Sequence, residues 1–145
     1  MSSNLEKAAD ILKNGNYTLV AVNGNDVITS TKRGIKPLLQ LLDNNVSLNG
    51  FSAADKVIGK AAAFLYVLLE INEVYSKVIS KPALAILEKN NIRVQYDFLT
   101  DAVRNRDNTG FCPMETAVMN TDSAESALLM IYQKLDEIER VQIKM

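Results

Sequence analysis

The residues best equipped for chemistry in this 145-residue chain are its single cysteine, Cys112, and the carboxylate three positions later, Glu115. Pro113 suits the first position of a helix, which makes Cys112 the N-cap and Glu115 the third helical residue. A thiol at a helix N-terminus is the more nucleophilic for it, so one reading is catalysis by Cys112 with Glu115 or Asp107 as base. The other is that Cys112 is a small buried hydrophobe at a helix start. A second cluster is Asp55, Lys56 and Lys60. Ser52 and Asp55 have the spacing of an acidic capping box, which opens a helix at Ser52 and places all three residues near its free N–H groups, where anions bind. Lys56 and Lys60, four apart, share a side, and Gly59 between them costs about 1 kcal/mol relative to Ala unless something needs close approach. A phosphate or nucleotide site is the sharp reading; a capping Asp55, solvated lysines and a Gly59 packed on a neighbouring helix is the plain one. Gly59-Lys60 is not a P-loop, because Ala54 and Ala61 stand where its first Gly and its Ser/Thr would be. Arg106 and Gly110 add a third candidate, since arginine beside glycine in a turn is a common phosphate contact; Lys32, Arg33 and Lys36 form a weaker basic group.

The inventory excludes more than it offers. There is no histidine, hence no Ser-His-Asp or Cys-His pair and no imidazole ligand for a metal. One cysteine allows neither an intrachain disulfide nor a thiolate-rich zinc site. No metal and no cofactor is therefore implied. A net charge of −1 gives no general basic field, and the basic patches lack interleaved aromatics, so nucleic acid is not an expected partner. The longest apolar run, Ala61 to Leu69, is about half of a bilayer span, and Met1 to Asp10 lacks an apolar stretch. A soluble, cytoplasmic protein is the expectation.

The elements that must position these residues follow from periodicity and caps. Ser3 and Glu6 have capping-box spacing ahead of Leu5, Ala8, Ala9 and Leu12, and Gly15 ends that helix. Tyr17–Val22 and Val27–Thr31 flank Asn23-Gly24-Asn25-Asp26, a hairpin signal. Gly34–Asp43 reads as a short helix with Pro37 near its start. The long helix from Ser52 carries Val57, Ala61, Phe64, Leu65 and Leu68 and is apolar on nearly all sides after Lys60, which makes it central and buried. Val74–Ile79 is a strand, Pro82–Asn90 a helix, Ile92–Tyr96 a strand, Phe98–Arg104 a short helix, and Pro113–Met119 starts helical. The last helix, capped by Asp122 or Ser123, runs to about Arg140. Its stripe of Leu128, Ile131, Leu135 and Ile138 is too short for a coiled coil, although Leu129, Met130 and Tyr132 leave room for a homodimer contact. Length, the absence of a linker and alternating strands and helices predict one α/β domain over 1–145, a three-layer sandwich with a mixed sheet.

Four local words, Gly34–Leu39, Ala54–Ala62, Lys77–Ser80 and Gly110–Glu115, together resemble the uncharacterised prokaryotic family known as domain of unknown function 1893. The resemblance spans roughly Leu5 to Leu128. With the hairpin, the central helix and a later helix that opens on a proline, it implies a cytidine deaminase-like fold. Zinc deaminases carry H-x-E or C-x-E at the start of the central helix and P-C-x-x-C at the next helix. Here the corresponding stretches read Ala54-Asp55-Lys56 and Pro82-Ala83-Leu84-Ala85-Ile86, so the resemblance implies the scaffold without zinc deaminase chemistry. The expectation is a nucleotide-like small molecule bound by Asp55, Lys56, Lys60, Arg106 and Gly110 in a degenerate pocket. The alternatives are an enzyme using Cys112 and Glu115, or a ligand-free oligomerising protein.

Overall fold

The computed structural model describes residues 2–103 and 112–144, the side chains of 140–144 excepted. Helix α1 (Ser3–Asn14) lies ahead of strands β1 (Leu19–Asn23) and β2 (Asp26–Ser30), helix α2 (Lys36–Asp43) and strand β3 (Ser52–Ile58). Helix α3 (Lys60–Leu68), strand β4 (Glu73–Ser80), helix α4 (Lys81–Lys89) and strand β5 (Arg93–Thr100) follow, and then helices α5 (Pro113–Ala117) and α6 (Ala124–Lys144). The strands form one mixed sheet in the order β2-β1-β3-β4-β5. β1 is antiparallel to both its neighbours, whereas β3, β4 and β5 run parallel, joined by α3 and α4 as crossovers.

Helices cover both faces, and the pleat shows it in adjacent residues. Val20 and Val22 of β1, Ala54 of β3 and Tyr75 of β4 pack under the Leu5, Ala8, Ala9 and Leu12 stripe of α1. Leu19, Ala21, Ala53 and Val74 point the other way, into the larger core with Phe64 and Leu65 of α3, Leu87 of α4 and Ile131 of α6. Small Ala53 and Ala54 at the centre let helices approach both faces closely. In the hairpin, Gly24 at φ +60° opens the two-residue turn, a sign of φ that costs glycine nothing. Among the described residues no helix is long and apolar enough to cross a membrane.

The structure departs from the sequence expectations in four places. The helix expected from Ser52 begins only at Lys60, and Ser52–Ile58 is the central strand. Ser52-Ala-Ala-Asp-Lys mimics a helix start because β3 is covered on both faces and so lacks the polar alternation of a half-exposed strand. The first cap is Ser2, whose Oγ accepts the Leu5 N–H at 3.1 Å; Ser3 is already helical, and no Ser3–Glu6 box forms. Phe98–Thr100 continue β5 instead of starting a helix, while Arg104 lies outside the described residues. In place of a helix running to Met119, α5 ends at Ala117. The hairpin, α2, β4, α4 and the buried core of α3 stand as expected. So does the Ser123 cap of α6, where Ser123 Oγ accepts the Ser126 N–H at 3.1 Å. Leu129 on α6 stays 66% exposed, with Met130 and Tyr132 beside it.

Candidate ligand cleft

Because β3 pairs with β1, Asp55 stands opposite Leu19, at the end of the sheet where α3 begins. One pleat side carries Asp55 towards α3, whose Tyr66 hydroxyl donates to its Oδ2 at 2.7 Å. Asp55 also accepts the Val57 N–H on Oδ1, at 3.3 Å. No cation lies within ion-pair distance of this carboxylate among the described residues. Burial pushes its pKa up from 3.8 to about 7, against the Tyr66 bond and the backbone N–H groups of Val57 and Lys56, which favour the charged form. Burial also pushes the Tyr66 hydroxyl well above 10, helped by the negative Asp55 beside it.

Asp55 opens onto a cleft of about 630 Å³ between β1, the turn before α2, β3 and the start of α5. Its floor is apolar: Leu19, Ile35, Leu38, Ala61, Ala62 and Met114. Polar groups stand at few points, namely Thr18, Arg33, Asp55, Lys56, Cys112 and Glu115. Neither Arg33 nor Lys56 forms an ion pair among the described residues.

Glu115 does something the sequence did not suggest. Instead of bonding within its own short helix, its carboxylate crosses to the start of α3, where Oε1 accepts the Lys60 N–H at 2.6 Å and Oε2 the Ala61 N–H at 2.8 Å. It thereby caps the N-terminus of a neighbouring helix, whose positive end suits a carboxylate. Gly59 makes this approach possible. A Cβ there would stand 2.0 Å from Glu115 Oε1 and 3.0 Å from a Val103 methyl, while its φ of −98° would suit any residue. The cost of glycine before α3 is therefore spatial in origin, set by Glu115. Burial pushes the Glu115 carboxyl up, opposed by the two N–H groups and by the nearby Lys60 charge. Lys60 Nζ adds a second tie between the segments by donating to the Met119 carbonyl at 2.8 Å.

The sequence-predicted site is thus partly assembled. Asp55, Lys56, Cys112 and Glu115 share one cleft. Asp55 and Lys56 reach it from a strand, not from a helix N-terminus, and the alternation of β3 separates them from any common helical face with Lys60. The Lys60 side chain points to Met119 and lines a different groove, of about 450 Å³, with Phe64, Pro82 and Lys89. An anion cannot use the first N–H groups of α3 while Glu115 occupies them. Arg106, Asp107 and Gly110 lie outside the described residues. Cys112 does hold the N-cap position of α5, half-buried, its N–H bonded to the Val103 carbonyl at 3.2 Å, but it accepts no capping bond, and five residues make a weak helix dipole. Sequence reasoning missed Tyr66 entirely. Its signal was the lone hydroxyl in the apolar run Ala61–Leu69, since a buried tyrosine O–H needs a partner. Among the described residues no group of His, Cys, Asp and Glu could hold a metal.

Comparison with known proteins adds a relationship without an activity. The family described as Domain of unknown function (DUF1893) matches residues 7–135. The crystal structure of a DUF1893 family protein (TM1506) from Thermotoga maritima is similar over 92% of this chain and 92% of that one, with 30% sequence identity and a TM-score of 0.84. Curated proteins gave no match.

Proposed function

The chain belongs to the DUF1893 family, and from the lining of its cleft we propose that it binds a nucleotide or a similar phosphate-bearing small molecule there. One observation carries the reading: an apolar floor, the half-buried Asp55 carboxyl, which unlike Glu115 is not spent on a helix end, and two cations that form no ion pair among the described residues, Arg33 and Lys56, face the same 630 Å³ space. Apolar walls with a few placed polar groups are the usual make-up of a small-molecule site. In this reading a flat body lies on Leu19, Leu38, Ala61 and Ala62, Asp55 takes its hydrogen-bonding edge, and Arg33 and Lys56 meet its phosphate. The phosphate is thus assigned to the rim, because Glu115 fills the start of α3.

The finer fold reading, a cytidine deaminase-like sandwich, is supported by the hairpin, by α3 and α4 as consecutive crossovers and by Pro82 in the first turn of α4. In that reading zinc chemistry is not what the fold performs, because the chain has no histidine and the two P-C-x-x-C thiolate positions are Ala83 and Ile86.

A thermal-shift panel of nucleoside monophosphates tests the binding. A ligand at 100 times its Kd adds about 2.7 kcal/mol, which for a chain of this size raises Tm by about 5–10 °C. No shift with any of them refutes the reading. One observation favours a second reading, thiol chemistry: Cys112 is half-buried in the wall of the same cleft. Its rate of alkylation against pH tests this, and an inert thiol ends it.

A further inference from the structure

The nucleotide reading leaves the base unspecified, and the surroundings of Asp55 narrow it. This carboxyl accepts the Tyr66 O–H on Oδ2 at 2.7 Å and the Val57 N–H on Oδ1 at 3.3 Å, while the nearby Lys56 N–H is bonded to the Thr18 carbonyl at 3.2 Å. A protonated carboxylic acid has an O–H to give; the Tyr66 hydroxyl oxygen can accept it, whereas the Val57 N–H can only donate. The ionised form, which burial disfavours, makes both bonds as an acceptor. It does so without a cation in ion-pair range among the described residues, beside an apolar floor, where an under-served carboxylate is costly. Two oxygens offer about four acceptor positions, so two resident donors leave capacity facing the cleft. What fits is a ligand that brings a pair of adjacent N–H donors, the bidentate pattern that carboxylates take best.

Resting on the nucleotide reading, we propose that the cleft selects a guanine-type base, whose ring N–H and neighbouring exocyclic amine both donate to Asp55, with Tyr66 positioning the carboxylate. The other bases serve this group less well. Adenine and cytosine edges set an acceptor beside their donor and so turn a lone pair towards the carboxylate. Hypoxanthine keeps the ring N–H and lacks the amine. Tyr66 touches no ligand in this arrangement, since its hydroxyl is spent on Oδ2 and its ring is buried in α3.

Calorimetric titration at pH 8, where Asp55 is ionised, with GMP, IMP, AMP and CMP tests the assignment. GMP is expected to bind at least 10-fold more tightly than IMP and than AMP or CMP. Asp55→Asn is expected to abolish that preference while retaining the weak, phosphate-driven binding shared by all four. Tyr66→Phe is expected to narrow the GMP preference without removing it, and serves as the second variant if Asp55→Asn fails to unfold cooperatively. Equal binding of all four nucleotides, indifferent to Asp55→Asn and to Tyr66→Phe, overturns the guanine assignment and leaves the nucleotide reading standing. A preference for AMP or CMP overturns it in the same way. Absence of binding by every nucleotide overturns both.

Discussion

Asp55→Asn is also a test of folding energetics that needs no ligand. Asparagine is nearly isosteric and keeps a carbonyl oxygen for the Tyr66 hydroxyl, so it removes the charge and little else. The folded-state pKa of Asp55 is raised, from 3.8 to about 7. The folded protein thus holds the proton more tightly than the unfolded chain, and stability associated with this group is fully present below about pH 4. That stability is lost as pH rises towards 7. The gap between 3.8 and about 7, at about 1.4 kcal/mol per pH unit, makes the cost of ionising Asp55 in place about 4 kcal/mol. Half-buried and open on the cleft side, the carboxylate keeps some water, so about 4 kcal/mol is the upper end of the effect. Urea unfolding of both proteins from pH 4 to pH 8, extrapolated linearly, measures it. The variant is expected to match wild type near pH 4 and to gain stability relative to it progressively towards pH 8. A wild-type to variant difference that stays flat with pH refutes the reasoning, because Asp55 would then be as well solvated folded as unfolded.

Four further outcomes follow from the same geometry. Gly59→Ala is expected to cost about 2 kcal/mol in urea unfolding, because the new Cβ evicts Glu115 from α3 and crowds Val103. Glu115→Ala, which leaves the Lys60 and Ala61 N–H groups uncapped, is expected to cost about 1–2 kcal/mol and to speed alkylation of Cys112. In the double variant the two costs are expected to be clearly less than additive, since alanine at 59 has less to displace once the carboxylate is gone; strict additivity would contradict the contact. Tyr66→Phe is expected to destabilise by about 1–2 kcal/mol at pH 8 and by less at pH 5, because the lost O–H donor serves the ionised form of Asp55; circular-dichroism melts at the two pH values check it.

Much of this protein was legible from residue order alone. The hairpin at Gly24, the α1 stripe of Leu5, Ala8, Ala9 and Leu12, the buried run of α3 and the proline starts of α4 and α5 are local signals, set by backbone preferences and hydrophobic period. The same holds for the exclusion of histidine chemistry, which needs only an inventory. β3 was not legible. Ser52–Ile58 is a strand because β1 and β4 flank it and helices cover both its faces, and its alanines carry no periodicity that reveals this.

The site divides along the same line. Its residue types, with Asp55, Lys56, Cys112 and Glu115 among them, could be singled out in the sequence. Their roles could not, because each role is defined by a partner far along the chain. Glu115 reads as a helper of its own helix start and instead caps α3, 55 residues away. Gly59 reads as a glycine for ligand approach or for helix packing and instead makes room for that carboxylate. Tyr66 reads as core and is the donor that Asp55 relies on. Sequence determined which groups were available and which chemistries were closed; only the tertiary structure decided which carboxylate is spent on a helix end and which is left facing a cleft. That choice depends on through-space distances of a few ångströms, which local preferences do not encode.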